Sequence, residues 1–336
     1  MIAYSSKIAL DGQKRFINTL SITSTSPCNS SPAPAVLLHG YGAGIGFFFK
    51  NFAALGEWVA SRRSSVYAID WLGMGRSARV PFVVTAKRDD IPGRVAEAEA
   101  FFVDSLEQWR EKMKLDKMTL VGHSLGAYMS VAYALKYPTR VSKLVLLSPA
   151  GVPGDPNASA PPRELTDDQP YEPDYVSVDG AQLKAEVEEI KSEQKNQSRR
   201  QGRLWQLFTY LWEEGWSPFQ VVRSAMWYGP ILVGKYSSRR FSALTDEEVR
   251  EMHDYILNIT LAKGSGEYCI CPSIFACPQG PRFADDIPSV AHILAPGAYA
   301  RMPLVDRVAA LKIPITFACE FLFRTVYHTV LIFRSH

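Results

Sequence analysis

Gly122-His123-Ser124-Leu125-Gly126 sets a serine between glycines two residues away on either side. This is the G-x-S-x-G pattern of a nucleophile carried on a sharp strand-to-helix turn. The chemistry it offers is acyl transfer through a covalent intermediate on Ser124. The turn holds the serine in a strained backbone conformation that exposes Oγ. Glycines at the flanking positions leave room for strand and helix to approach. The backbone N–H of Leu125, opening a helix, then points to where negative charge develops on a substrate carbonyl. Five residues match by chance easily, so the pattern carries weight only between a strand and a helix. Both are expected here: residues 118–121 are a short apolar run, and residues 125–135 read as helix.

A second loop supports the first. His39-Gly40-Tyr41-Gly42 follows the apolar run Ala35–Leu38. In this arrangement such a loop supplies the other oxyanion N–H, assigned to Tyr41. Phosphate binding is disfavoured. Residues 40–46 have glycine at every second position, so G-x-G-x-x-G fails in each register. Residues 229–236 nearly match a P-loop, but Tyr236 replaces the Ser/Thr that binds magnesium and no strand precedes them.

The elements that must position these residues are short apolar runs closed by turn residues, as buried parallel strands are. They are Ala35–Leu38, Ser65–Ile69 ending at Asp70, residues 118–121, Val141–Leu147 and residues 313–319. Between them lies helix, clearest over residues 92–113, where Val95, Ala98, Phe102, Leu106 and Trp109 keep spacings of three and four. Strand–helix alternation predicts an α/β fold: a mostly parallel sheet flanked by helices. From Gly151 the texture changes. Residues 153–180 read as irregular loop, 183–201 as charged helix, and 204–228 as an aromatic stretch holding four of the seven tryptophans. Residues 244–261 form a further helix, with Thr245 as its cap and acids in its first turn. We therefore divide the chain into a core over 1–152, a helical cap over 153–290 and a return to the core over 291–336.

Composition narrows the function classes. At 336 residues the chain exceeds one ordinary compact core, as a core with an insertion does. Hydrophobic residues at 47% and charged residues at 21% exclude a disordered chain. A net charge of +3, with cations scattered among acids, gives no ground for a nucleic-acid partner. Five cysteines, three of them in nine residues, are not a secreted disulfide framework. Cys269, Cys271 and Cys277 with His253 or His292 fit no common zinc spacing, and we expect no metal. There is no apolar run long enough to cross a membrane and no signal-peptide core, so either there is no cleaved targeting signal or the chain starts downstream of it; with the cysteine usage, an intracellular protein is expected.

With those residues in view the chain resembles the α/β-hydrolase fold over residues 34–152. More narrowly, LLHGYGAGIGFFFKNF, YAIDWLGMGRSARVPF and LVGHSLGAYMSVAYALKYPTRVSKLVLLSPAGVP resemble the lysophospholipid and N-acyl-phospholipid hydrolases. That subfamily includes the lipid-droplet lipase coactivator and the fungal cardiolipin-specific deacylases. SGEYCI and HILAPGAYARMPLVDRVAALKIPITF extend the resemblance to most of the chain. The coactivator lacks the nucleophile, whereas Ser124 is present here. The resemblance implies hydrolysis of acyl esters of phospholipids or lysophospholipids, without cofactor. It also implies peripheral residence on a mitochondrial or lipid-droplet membrane. Aromatic residues of 204–228, with Phe47, Phe48 and Phe49, are either an acyl-chain or bilayer contact or simply the packing of the cap.

The remaining triad members are missing from the pattern. Chain order is Ser, then acid, then His. No aspartate follows Asp306, so Glu320 is the acid nearest the expected place and Asp155 a fallback. His328 and His336 are the only histidines after Cys319, and neither leaves room for a helix and a strand before it. The base is therefore unassigned. Asp70, His39 and His123 read as residues that shape the turns. All six histidines lack an aspartate five positions on, so the family's His-x4-Asp acyltransferase pattern is absent. Residues 271–290 interrupt the resemblance, and residues after Cys319 depart from it. We read both as a retained intron and a read-through, with a truncated isoform as the competing reading: a weak hydrolase, or a scaffold that binds a lipid surface or a lipase. On this sequence the C-terminal part of the sheet is expected to be incomplete and the chain nearly inactive.

Overall fold

The computed structural model describes residues 1–26, 31–87, 89–152, 210, 212, 218–262, 292–295, 299–319 and 329–333. Two segments outside the apolar-run reading open the chain. IAYSSKIA and FINTLSIT alternate side chains between faces and pair as the antiparallel strands β1 (Ile2–Ala9) and β2 (Phe16–Thr23). β2 then pairs antiparallel with β4 (Ser65–Ile69). From there the sheet is parallel: β4, β3 (Ala35–Leu38), β5 (Met118–His123), β6 (Val141–Leu147) and β9 (Ile315–Cys319). The eight-stranded order is β1-β2-β4-β3-β5-β6-β9-β10. All four residues of β3 are buried, as a central strand covered on both faces requires.

The last strand modifies the expectation of an incomplete sheet. Past β9 the sheet gains one more strand, β10 (Thr329–Phe333), which runs antiparallel to it. Antiparallel neighbours need only a short connection, whereas a parallel one needs a crossover. β9 itself starts at Ile315, two residues later than expected. Pro314 has no N–H for the ladder, though its carbonyl accepts from Leu144 at 3.0 Å.

Helices α1 (Phe52–Arg62), α2 (Ile91–Lys112) and α3 (Leu125–Lys136) flank the sheet. Asp90 caps α2 by accepting from the Gly93 amide at 2.9 Å, and Pro92 sits in its first turn. The largest fully buried side chains are Trp71, Trp109, Tyr128, Tyr133 and Phe102. Trp109 meets its polar need by donating to Thr19 Oγ1 at 2.9 Å.

A second helical group follows: α4 (Pro218–Ser224), α5 (Gly229–Arg240) and α6 (Asp246–Leu261). α6 begins on the expected cap. Thr245 accepts from the Glu248 amide, and Glu248 accepts from the Thr245 amide, a complete capping box. Val233, Met252 and Ile256 form the small core between α5 and α6. A two-stranded ribbon, β7 (Leu294–Ala295) with β8 (Tyr299–Ala300), and α7 (Leu304–Val308) follow, and short 3-10 turns at Ile45–Asn51, Pro138–Arg140 and Met226–Tyr228 complete the described elements. Among the described residues no helix is long and apolar enough to cross a membrane. The expected helix over 183–201, the loop 153–180 and the insert 271–290 lie outside the described residues.

Candidate active site

Ser124 sits between the end of β5 and the start of α3 with φ 53° and ψ −115°. A side-chain-bearing residue adopts such a backbone only under compulsion. The compulsion is visible around it. The Ser124 amide donates to Leu147 O on β6 at 3.0 Å. Its carbonyl accepts from Ala127 at 3.0 Å, and from Tyr128 and Ala150 at 3.2 Å each.

The two motif glycines are explained by distance. A Cβ on Gly122 would lie 2.4 Å from Gly126 O, and a Cβ on Gly126 would lie 2.2 Å from Leu38 O. The first lets α3 fold back on β5, and the second lets it press on β3. Leu125 takes the first helical position, so its N–H has no intrahelical acceptor.

β3 neighbours β5, with Leu38 opposite Gly122, so the loop after β3 emerges beside the serine. A Cβ on Gly40 would lie 3.0 Å from Ser124 Cβ and 3.2 Å from His123 Nδ1. Gly40 thus allows the loop bearing Tyr41 to touch the turn bearing Ser124.

His39 fixes this loop from below. Its ring is 1% exposed. Nε2 accepts from the Trp71 amide at 3.1 Å, which leaves the proton on Nδ1 to donate to Gly40 O at 2.8 Å. Trp71 Nε1 donates to His39 O at 3.0 Å. Burial holds the His39 pKa below its ordinary value, and the Asp70 carboxylate 3.9 Å away opposes this only partly. A neutral ring with both nitrogens engaged shapes the site and has no free face for proton transfer.

Asp70, likewise 1% exposed, ties three segments together. Oδ1 accepts from the Ile45 amide at 2.8 Å. Oδ2 accepts from Asn18 Nδ2 at 2.8 Å and the Arg76 amide at 3.0 Å. Gly75, at φ 50°, has no room for a side chain because a Cβ would lie 2.3 Å from the carboxyl carbon.

The aromatic residues divide. Tyr41 meets Trp212 edge-on at 6.0 Å and Phe219 at 5.4 Å. Trp212 is buried and donates to Leu294 O at 3.0 Å. Phe47 packs on Phe241 and Tyr255, Phe49 joins the same cluster, and Phe48 packs under β3 and β4. Tyr41, Phe47 and Phe49 are packing residues that fasten α4–α6 to the loop, whereas Phe48 anchors the loop to the sheet. Tyr255 completes the clasp, its oxygen accepting from the Gly46 amide at 3.1 Å. Trp227, by contrast, is 85% exposed.

The histidines weighed as zinc ligands have other partners. His253 Nδ1 meets Ser237 Oγ at 3.1 Å, and His292 Nδ1 accepts from Arg94 Nε at 2.9 Å. Asp155, Glu320, His328, His336 and the cysteines other than Cys319 lie outside the described residues.

Sequence reasoning missed two long-range contacts: the Tyr255 clasp, and Arg307 bound to Glu99 through both guanidinium nitrogens at 2.6 and 2.9 Å. No local pattern signals either contact.

Residues 34–189 match the alpha/beta hydrolase fold family. Over 311 residues the chain is 32% identical to a 1-acylglycerol-3-phosphate O-acyltransferase of Arabidopsis thaliana, taking in 91% of this chain and 58% of the relative. Over 154 residues it is 42% identical to 1-acylglycerol-3-phosphate O-acyltransferase ABHD5 of Rattus norvegicus, covering 46% of this chain and 38% of that one. The chain thus spans little more than half the length of these curated plant relatives. Among solved structures, carboxylesterase CesB of Bacillus subtilis overlays 47% of each chain at 20% identity and a TM-score of 0.35, too partial to bear on activity. With the strand–Ser124–helix turn on an eight-stranded mixed sheet, these matches lead to one conclusion: the chain has the α/β-hydrolase fold.

Proposed function

We propose that this protein is a serine-dependent enzyme acting on acyl esters of phospholipids or lysophospholipids. The observation that carries the reading is Ser124 at φ 53° between β5 and α3, touching the Gly40 loop. Ser124 Oγ adds to the ester carbonyl carbon. The Leu125 and Tyr41 N–H groups hold the oxyanion, and the C–O bond to the alcohol breaks to leave an acyl-serine. The Oγ proton passes through a base to the departing alcohol, and water then releases the fatty acid. The base is unassigned, and Glu320 or Asp155 is the acid that would orient it. No cofactor takes part in this scheme.

A second reading has the acyl-serine yield to a lysophospholipid instead of water. It is favoured by the relatives named 1-acylglycerol-3-phosphate O-acyltransferase and weakened by the absent His-x4-Asp pattern. The test is labelling by a fluorophosphonate, followed by turnover of radiolabelled lysophosphatidic acid. Labelling abolished by Ser124→Ala, with release of free fatty acid, supports hydrolysis. Diacyl product in its place supports transfer. Labelling that survives Ser124→Ala rejects Ser124 as the nucleophile, and a native protein that is neither labelled nor turns over supports the impaired, scaffold reading instead.

A further inference from the structure

Residues 215–245 contain no aspartate or glutamate, and their four cations are Arg223, Lys235, Arg239 and Arg240. Within this run an apolar surface lies open. Trp227 is 85% exposed and Tyr228 71%. Both precede α5, whose Gly229, Val233 and Ser237 are buried. The helical period turns the opposite side outward. There Ile231, at 54% exposure, lies beside the exposed Lys235 and Arg239, with Leu232 at 44% and Tyr236 at 50% toward the edge of that face. Single exposed apolar residues are ordinary, but aromatic and aliphatic residues gathered around cations on one helix face need a reason. The acids of α6 belong to a helix that packs against the other, Val233 side of α5.

We infer that the outer face of α5, with Trp227 and Tyr228, docks on an anionic phospholipid bilayer. Charge complementarity selects the occupant: a run whose own charged residues are all cations suits phosphate-rich headgroups. Its aromatic rings suit the depth where headgroup meets acyl chain. The inference goes beyond the catalytic reading and needs no part of it, because none of these residues touches Ser124.

The test is co-sedimentation of the full chain with vesicles of phosphatidylcholine alone, or with about one third phosphatidylserine. We expect binding to the mixed vesicles, weakened by salt and much weaker on phosphatidylcholine alone. Trp227→Ala/Tyr228→Ala is expected to bind roughly tenfold more weakly. Lys235→Glu/Arg239→Glu is expected to lose tenfold or more, since each basic residue at such a surface is attracted by the anionic headgroups and each glutamate repelled. All four positions are exposed, so the variants should keep the wild-type melting curve. Ser124→Ala should sediment like wild type, which separates this inference from the catalytic one. The inference is overturned if wild type ignores the mixed vesicles or if both double variants bind as well as wild type. It is also overturned if ultracentrifugation shows a dimer that Trp227→Ala/Tyr228→Ala dissolves, for then the face covers a second copy.

Discussion

Asp70→Asn changes one oxygen to an NH2 group and should be among the most damaging conservative substitutions in the protein. The carboxylate accepts three hydrogen bonds while 1% exposed, from Ile45 N–H at 2.8 Å, Asn18 Nδ2 at 2.8 Å and Arg76 N–H at 3.0 Å. Asn18 is a side-chain amide and can turn its oxygen toward the new NH2 group. Ile45 and Arg76 offer backbone amides and cannot. Whichever position the NH2 takes, one backbone N–H then faces a donor. Orphaning that buried group costs about 1–3 kcal/mol. The other two bonds lose their charge assistance, at about 1 kcal/mol each. The sum is a loss of roughly 3–5 kcal/mol. Chemical denaturation of the two proteins measures it. Hydrogen exchange should also quicken at one of the Ile45 and Arg76 amides while the other stays protected. Because Ile45 anchors the loop that carries Tyr41, fluorophosphonate labelling of Ser124 should slow as well. A stability change below about 1 kcal/mol, with both amides still protected, would refute the account of Asp70 as the tie between these segments.

Two further outcomes follow from the same bookkeeping of buried groups. His39 is neutral when folded because burial lowers its pKa, while in the unfolded chain it titrates normally, near 6.5. Below that pH the unfolded state binds the extra proton, so stability should be flat above about pH 6.5 and fall by up to ~1.4 kcal/mol per pH unit on acidification. The fall stops once the folded-state pKa is passed, and His39→Gln should flatten the profile between pH 7 and pH 5, as read from denaturation at fixed pH. Arg307→Met strands the Glu99 carboxylate, which is 13% exposed, with the Tyr128 hydroxyl at 2.6 Å as its remaining partner among the described residues. It should cost about 2–4 kcal/mol, and Glu99→Gln/Arg307→Met should recover much of it. A double-mutant cycle with no coupling would remove this pair from the forces that hold α7 against α2.

The parts of the fold that were legible are those in which local chemistry and long-range packing demand the same thing. β3 is a continuous apolar run because a central parallel strand is covered on both faces, and β6 ends in the apolar run Leu144–Leu147, so both are readable from composition. The elbow is legible for a related reason: Gly122 and Gly126 are fixed by contacts within 2.4 Å that no other residue allows. The hairpin β1–β2 escaped because its outer strand is exposed at its first four positions, so its alternation carries little apolar signal. Arg307 and Glu99 are 208 residues apart, and each alone resembles any charged helical residue. In the aromatic stretch, spacing could not tell Trp212, which is buried against Tyr41, from Trp227, which is open to solvent. Only the tertiary neighbours make that distinction.

The loop after β3 has more than one duty, and this explains its composition. Its left-handed Gly42, at φ 69°, has Phe219 where a Cβ would lie. Gly44 has both Asp70 and Tyr255 there, and Gly46 has the Tyr255 ring. Lys50, at the end of the same segment, pairs with Glu248 at the start of α6. So the alternating glycines of 40–46 are not a phosphate cradle. Gly40 makes room for the serine turn and the next three make room for helices α4–α6. The same few residues therefore carry the proposed oxyanion amide and the fastening of the helical group. α5 joins that group through Val233 against Met252 and Ile256. The glycine spacing that defeats a nucleotide reading is thus what lets the helical group and the serine turn share one loop.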